Sequence, residues 1–252
     1  MKIVVIGGTG LIGSQVVADL KSKGHEVLAA SPNTGVNAVT GEGLADALRG
    51  ARVVVDVANS PSFESEPAME FFTRSGRNLA AAEKTAGVAH HVALSVVGTE
   101  RLQNSGYFRA KLAQEELVAS AGIPWTLVRA TQFFEFVGAI AGAATVDGVT
   151  RATSAAIQPV ASADVAARVA EAALARPLNA MVEVAGPERL PLAELVRRYF
   201  QSKGEEREVL TDDTAPYFGV VIDDRSLTPA DGARITVERF GDWLASQPKR
   251  SA

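Results

Sequence analysis

The chain has 252 residues, 47% of them hydrophobic, no cysteine and a formal net charge of −4. That length and apolar content support one sizeable core, the missing cysteines exclude disulfides, thiolate metal sites and cysteine nucleophiles, and a mildly acidic chain without a basic block argues against a nucleic-acid partner. No apolar stretch reaches the ~20 residues that span a bilayer, and a first core strand that begins at residue 2 leaves no room for a signal peptide, so a cytoplasmic location is expected.

Lys2–Ile6 is a β-branched run of the kind that forms a buried parallel strand. It leads straight into Gly7-Gly8-Thr9-Gly10-Leu11-Ile12-Gly13, which opens a helical stretch from Leu11 to Lys23. Strand, glycine turn and helix in this order are the setting of a dinucleotide fingerprint: glycines let backbone approach a pyrophosphate, and the helix N-terminus offers it free N–H groups. Gly7, Thr9, Gly10, Leu11, Ile12 and Gly13 are therefore candidate cofactor contacts. A second strand is predicted over Glu26–Ala30. It ends in Ser31-Pro32-Asn33-Thr34, with no acid to bond a ribose 2′-hydroxyl and repel a 2′-phosphate, which favours NADP(H) over NAD(H). Ser31, Asn33 and Thr34 offer neutral donors where an arginine would pair the phosphate better.

The stretch from Pro32 to Glu42 has little pattern, and a third strand is placed at Asn37 to Thr40. Arg52–Val57 predicts a fourth strand, Pro67–Ala86 a long helix and His90–Leu94 a fifth strand. Ser95 closes that run where a parallel strand would meet the ligand-binding edge, and a hydroxyl there could hydrogen-bond a substrate oxygen. A helix from Tyr107 to Ser120 follows. Tyr107 and Lys111 lie four apart, so both project from one face, and an ammonium near a phenol favours the phenolate and lowers the tyrosine's pKa. Pro124–Arg129 predicts a sixth strand, and short elements at Ile157–Val160 and Met181–Val184 extend the sheet. Alternating strands and helices predict a doubly wound parallel α/β sheet.

Gly7, Gly10 and Gly13, then Ser95, then Tyr107 and Lys111 resemble the short-chain dehydrogenase/reductase superfamily, most of all its atypical NmrA-like branch. The resemblance covers roughly the first 175 residues by motif and the rest by architecture. It implies that Tyr107 donates and accepts a proton, Lys111 lowers its pKa and holds the cofactor ribose, and Ser95 orients a carbonyl. It further implies cofactor contacts from Ala58, Asn59 and Ser60 after the fourth strand, and from the backbone of Ala130 and Thr131 after the sixth, where relatives often carry Pro-Gly. The expected organisation is one Rossmann-fold domain over 1–252, with a dinucleotide-binding core over about residues 1–175 and a substrate-facing region over about 176–252, including helices at Pro191–Phe200 and Glu238–Ala245.

The reaction so implied is NAD(P)H-dependent reduction of a ketone or aldehyde. Alternatives on the same scaffold are an epimerase, dehydratase or quinone reductase, or a non-catalytic NADP(H)-binding sensor for a protein partner. Val96, Gln132, Phe133, Phe134 and Phe136 are the candidate substrate pocket at the carboxyl edge. Few basic residues surround it, so a small apolar carbonyl compound is expected, on a monomer or homodimer. His25, His90 and His91 read as surface or edge residues rather than metal ligands, because adjacent strand residues face opposite ways. Asp212, Asp213, Asp223 and Asp224 read as solvated loop acids, and Asp164 as a helix cap or a contact with the core rather than a base.

Overall fold

Lys2–Ile6 pairs in parallel with Glu26–Ala30 on one side and Val53–Asp56 on the other in the computed structural model of the chain, which describes residues 1–247. In chain order the elements are β1 (Lys2–Ile6), α1 (Leu11–Ser22), β2 (Glu26–Ala30), α2 (Leu44–Leu48), β3 (Val53–Asp56), α3 (Ser65–Ala86), β4 (His90–Val96), α4 (Gly106–Ser120) and β5 (Trp125–Ala130). They continue as α5 (Val137–Ala143), β6 (Thr145–Val146), β7 (Val149–Ala152), β8 (Ala156–Ile157), α6 (Ser162–Leu174), β9 (Ala180–Ala185), β10 (Leu190–Pro191), α7 (Leu192–Ser202), β11 (Val209–Thr211), β12 (Arg234–Ile235) and α8 (Phe240–Ser246).

The central sheet has seven strands in the order β2-β1-β3-β4-β5-β9-β12. It is a Rossmann-type α/β fold. β2 lies on one side of β1 and β3 on the other, so the strand order reverses at β1. Open α/β sheets bind ligands outside the carboxyl ends of their strands at such a reversal.

The chain forms two compact units, Met1–Arg129 with Val165–Val182, and Ala130–Asp164 with the described residues from Glu183 onward. The breaks fall before the last residue of β5, within α6 and within β9. The first unit's core gathers Val4, Ile6, Leu44, Leu48, Val54 and Leu79. Its long helix α3 has Pro67 in the first turn, where the missing N–H is not needed. It ends at Gly87, whose φ of +69° suits glycine. Gly76 lets α4 pack closely, because a Cβ there would lie 3.1 Å from Leu117 Cδ1.

Several expectations change here. Asn37–Thr40 forms no strand: the Asn37 side chain accepts the N–H groups of Val39 and Thr40, and Asn78 of α3 donates to the carbonyls of Ala38 and Val39. Local side-chain bonds of this kind compete with strand pairing. Ala156–Ile157 pairs with Leu190–Pro191 in a separate two-stranded sheet and does not extend the central one. His90 and His91 are buried, in a strand flanked by β3 and β5, not on the surface.

Within the second unit the acidic doublets are engaged, not simply solvated. Asp213 accepts from the Ser154 N–H and hydroxyl and from the Thr153 hydroxyl, and Asp224 accepts the Ala156 N–H at 2.8 Å. Asp212 accepts from Thr214, and Asp223 from Ser226 and Arg225. Asp164 stands inside the first turn of α6, with Oδ2 buried and unpartnered, while Glu135 accepts from both the N–H and the hydroxyl of Ser162 at the start of that helix.

Candidate active site

The glycine turn follows β1 at the reversal of strand order. Gly7 has a φ of +77°, and a Cβ on it would lie 2.8 Å from the backbone of Ala58 beyond β3. A Cβ on Gly13 would lie 2.1 Å from the Gly7 carbonyl oxygen, so packing alone demands glycine there. Gly10 differs: a Cβ would meet only the Gly7 oxygen, at 3.3 Å. Nothing inside the fold needs the empty space at Gly10 as strictly, which leaves room there for a ligand's close approach. Gly10 is also the N-cap of α1, with no side-chain cap and no acid in the first turn, so the exposed helix N-terminus is open to an anion. Thr9 and Leu11 are exposed beside it, while Ile12 packs into the core.

At the end of β2, Ser31 and Thr34 serve the turn. The Thr34 hydroxyl accepts the Ser31 N–H at 2.9 Å and lies 3.0 Å from the carbonyl oxygens of Ala29 and Ser31. Ser31 is itself buried. Of the three neutral donors expected to meet a 2′-phosphate, Asn33 alone stays exposed without such a commitment.

β3 and β4 carry the polar residues nearest the carboxyl edge. The register pairs Asp56 with Ala93, so Ser95 lies two residues beyond the end of β3. Its hydroxyl is buried and has no hydrogen-bond partner in the protein. An unpaired buried hydroxyl costs roughly 1–3 kcal/mol, which marks Ser95 as a position that needs an explanation. Past β3, Ala58 donates its N–H to Asp56 Oδ1 at 3.1 Å, Asn59 accepts the Tyr107 hydroxyl at 2.9 Å, and Ser60 Oγ accepts the Ser62 N–H.

Helix α4 presents an unusual buried face. Lys111, Gln114 and Glu115 are all less than a tenth exposed, and spacings of three and four residues put them together. Glu115 pairs with Arg129 of β5, which also reaches Glu100. Lys111 Nζ donates to the Leu94 carbonyl at 2.9 Å and to Gln114 Oε1, and stands 4.5 Å from the centroid of the Phe72 ring. Burial draws its pKa down to about 8 against the opposing pull of Asp56 and Glu115.

The ammonium thus addresses the sheet and not the phenol. Tyr107 packs against Ala68, Phe72 and Ala110, with the Phe63 ring 5.0 Å away. Burial pushes its pKa well above the ordinary tyrosine range, partly offset by the Asn59 hydrogen bond. The expected lowering by Lys111 is absent: Tyr107 is held as a neutral phenol.

Sequence reading missed Asp56, Gln114 and Phe72. Asp56 carried a signal, as the single charge inside the apolar run from residue 53 to 57, and so did Gln114, one helical turn from Lys111.

In the second unit, the Thr131 N–H is committed to the Val184 carbonyl at 3.1 Å, which removes it as a cofactor donor. The Thr131 hydroxyl and Gln132 Oε1 are buried and unpartnered. Phe133 and Phe136 stack with centroids 5.8 Å apart, and Phe136 is exposed. Phe134 is a core residue, not a pocket residue: it is 1% exposed and packs on Phe240 and Trp243. Val96, in the first unit, is half-buried at the end of β4. Among the described residues no group of three or more histidines and acids could hold a metal ion, and no helix is long and apolar enough to cross a membrane.

Residues 7–177 match the family model described as NAD(P)H-binding. The chain is 35% identical over 144 residues to a (4-alkanoyl-5-oxo-2,5-dihydrofuran-3-yl)methyl phosphate reductase of Streptomyces griseus subsp. griseus, covering 52% of this chain and 48% of the relative. It is 26% identical over 149 residues to the photosystem II assembly factor Ycf39 of Cyanophora paradoxa, covering 54% and 46%. It spans about half the length of the curated relatives it matches. Among solved structures it is similar in fold to a nucleoside-diphosphate-sugar epimerase from Staphylococcus aureus, with a TM-score of 0.72 at 16% identity over 98% of this chain and 100% of that one.

Proposed function

The chain belongs to the NAD(P)H-binding family, and from that premise we propose that it is an NAD(P)H-dependent reductase acting on a ketone or aldehyde, with Ser95, Tyr107 and Lys111 as its reacting and orienting residues. The observation that carries the reading is a neutral, half-buried Tyr107 phenol together with a buried Ser95 hydroxyl that has no partner of its own. Both belong to the unit that bears the glycine turn.

The turn fits a dinucleotide. Gly10 leaves room for a pyrophosphate, and the open N-terminus of α1 supplies N–H groups and the positive end of the helix dipole. When bound, the reduced nicotinamide supplies a hydride. The chain's own residues supply the rest. Ser95 Oγ–H would donate to the carbonyl oxygen and hold it as negative charge develops. Tyr107 would pass its hydroxyl proton to that oxygen, exchanging its bond to Asn59 for one to substrate. Burial favours the protonated phenol, the form that a proton donor in the reductive direction requires. Lys111 would stabilise the phenolate left behind by its charge.

NADP(H) is the preferred form, since β2 ends without an acid. The preference rests on exposed Asn33 and on the absence of repulsion, because Ser31 and Thr34 are committed to the turn. A small apolar carbonyl compound is the substrate class. The relative in Streptomyces griseus, similar over about half of each chain, is a reductase by name and supports a reductase here.

Purified protein should quench or enhance nicotinamide fluorescence on titration with NADPH, and should oxidise NADPH when offered a panel of ketones, aldehydes and quinones. Turnover that disappears in Tyr107→Phe supports the reductase. Tight NADPH binding with no turnover on the whole panel would turn the reading toward a sensor of the NmrA type.

A further inference from the structure

Gln114 is left unexplained by the reading above. It is neutral, 2% exposed and set in the middle of a charged buried face. Its amide has two partners of opposite kind. Oε1 accepts from the Lys111 ammonium, while Nε2 donates to Asp56 Oδ2 at 3.0 Å. The reversed amide would set donor against donor and acceptor against acceptor, so the partners dictate its orientation.

The other oxygen of Asp56 receives the Ala58 N–H at 3.1 Å, and the next residue, Asn59, receives the Tyr107 hydroxyl. One carboxylate at the end of β3 therefore reaches both members of the α4 pair. It reaches Lys111 through the Gln114 side chain, and Tyr107 through the chain segment that leaves β3. A glutamate in place of Gln114 would confront Asp56 with a second negative charge, and an apolar residue would break the connection. Glutamine is the residue that can join a cation to an anion that do not touch.

We propose that Gln114 is a positioning residue which, by linking Lys111 to the Asp56 carboxylate, fixes the place and charge of the ammonium one helical turn from the proton-donating tyrosine. The proposal rests on Lys111 and Tyr107 acting together in the reductase. The other charges facing this spot are Glu115 on α4, held by Arg129 of β5, and the Glu83–His91 pair of α3 and β4, whose histidine feels Asp56. The Phe72 ring of α3 covers the ammonium on its remaining side. Without the Gln114 dipole and the Asp56 charge, Glu115 alone would oppose burial at Lys111, and its charged form would weaken.

The test follows Lys111 directly, by NMR titration of protein labelled with carbon-13 at the lysine ε position, free of cofactor, with the signal assigned by its loss in Lys111→Arg. Gln114→Met, close in volume, should move the Lys111 midpoint down from about 8 by about one pH unit, and Gln114→Glu should move it up by about as much. Asp56→Asn keeps an acceptor for Gln114 and removes the charge, so it should also move the midpoint down. A fall in Gln114→Met, which keeps the volume and removes the amide, is not what a space-filling residue gives. A midpoint unchanged in Gln114→Met overturns the proposal, whatever Gln114→Glu does. Should Gln114→Met fail to fold, an unchanged midpoint in Asp56→Asn overturns it. The titration needs neither cofactor nor substrate, so an absence of carbonyl turnover counts against the reductase and leaves this link standing, while an unmoved midpoint does the reverse.

Discussion

The Tyr107 hydroxyl donates to the Asn59 side-chain oxygen at 2.9 Å, so the proposed proton donor is occupied by the loop after β3 before any substrate reaches it. Substrate must take that proton in competition with Asn59. Tyr107→Phe removes the donor while leaving the ring packed against Phe72 and Ala110. The variant should bind NADPH within about threefold of wild type and lose on the order of 10²–10⁴ in turnover. Its stability should fall by only about 1 kcal/mol, for one lost hydrogen bond. Titration, steady-state rates and urea unfolding separate the three quantities; undiminished turnover would take Tyr107 out of the mechanism.

Gly10 and Gly13 should respond differently to the same change. Gly13→Ala drives a methyl to 2.1 Å from the Gly7 oxygen, a backbone atom, so the variant should be strongly destabilised in thermal unfolding. Gly10→Ala needs only a few tenths of an ångström of give, and its φ of −81° suits alanine. That variant should fold with a melting temperature near wild type and bind NADPH at least about tenfold more weakly, some 1.4 kcal/mol. Equal NADPH affinity in Gly10→Ala and wild type would mean that the turn does not hold the pyrophosphate.

Strands and long helices could be read from the sequence because their patterns are local. The apolar runs of β1 and β3 each declare a buried strand, and the helices α3 and α4 came within two residues of their ends. The Asn37 region failed because its short side-chain bonds to Val39 and Thr40 outweigh a weak strand tendency, and Asn78, forty residues away, completes the arrangement. The glycine turn was readable because its geometry is written in missing side chains. The state of Lys111 was not, since sequence shows that Tyr107 and Lys111 share a helix face but not that Leu94, Gln114 and Phe72 claim the ammonium. Phe134 misled for a related reason: an aromatic cluster looks the same in a pocket or a core until Phe240 and Trp243 arrive from the far end of the chain.

Lys111 should leave a mark on stability against pH. Its folded pKa of about 8 lies below the ordinary 10.5, because burial penalises the charge. Between those values the unfolded chain holds a proton that the native state has released, so stability gains a positive slope with pH across that window. Below about 8 both states are protonated and the term is flat. Urea unfolding in steps through the window should show the rise in wild type and not in Lys111→Met. A wild-type curve with no such difference from the variant would place the ammonium nearer to solvent than the structure does.

His91 should act with the opposite sign. Burial alone pulls its pKa down, but the charge and hydrogen bond of Glu83 together with the charge of Asp56 outweigh it, and the net shift is upward from 6.5. The contact is Nδ1 to Glu83 Oε1 at 2.7 Å, with both side chains buried. The native state therefore holds a proton that the unfolded chain sheds above 6.5. The resulting stabilisation is fully present below that pH and is lost as pH rises through the folded value. Glu83→Gln keeps the shape and a hydrogen-bonding atom but removes the charge. The difference in unfolding free energy between wild type and variant should be widest below pH 6.5 and should narrow as pH climbs. The breaking of a buried pair of this kind costs on the order of 3–5 kcal/mol at its widest. A gap that stays constant with pH would mean that His91 is neutral throughout and that Glu83 serves it only as a hydrogen-bond acceptor. His90 next door acts with the reverse sign: burial and the His91 charge draw its pKa down to about 4, so between about 4 and 6.5 the unfolded chain holds a proton that the native state lacks, and His90→Gln should remove a rise of stability with pH across that window.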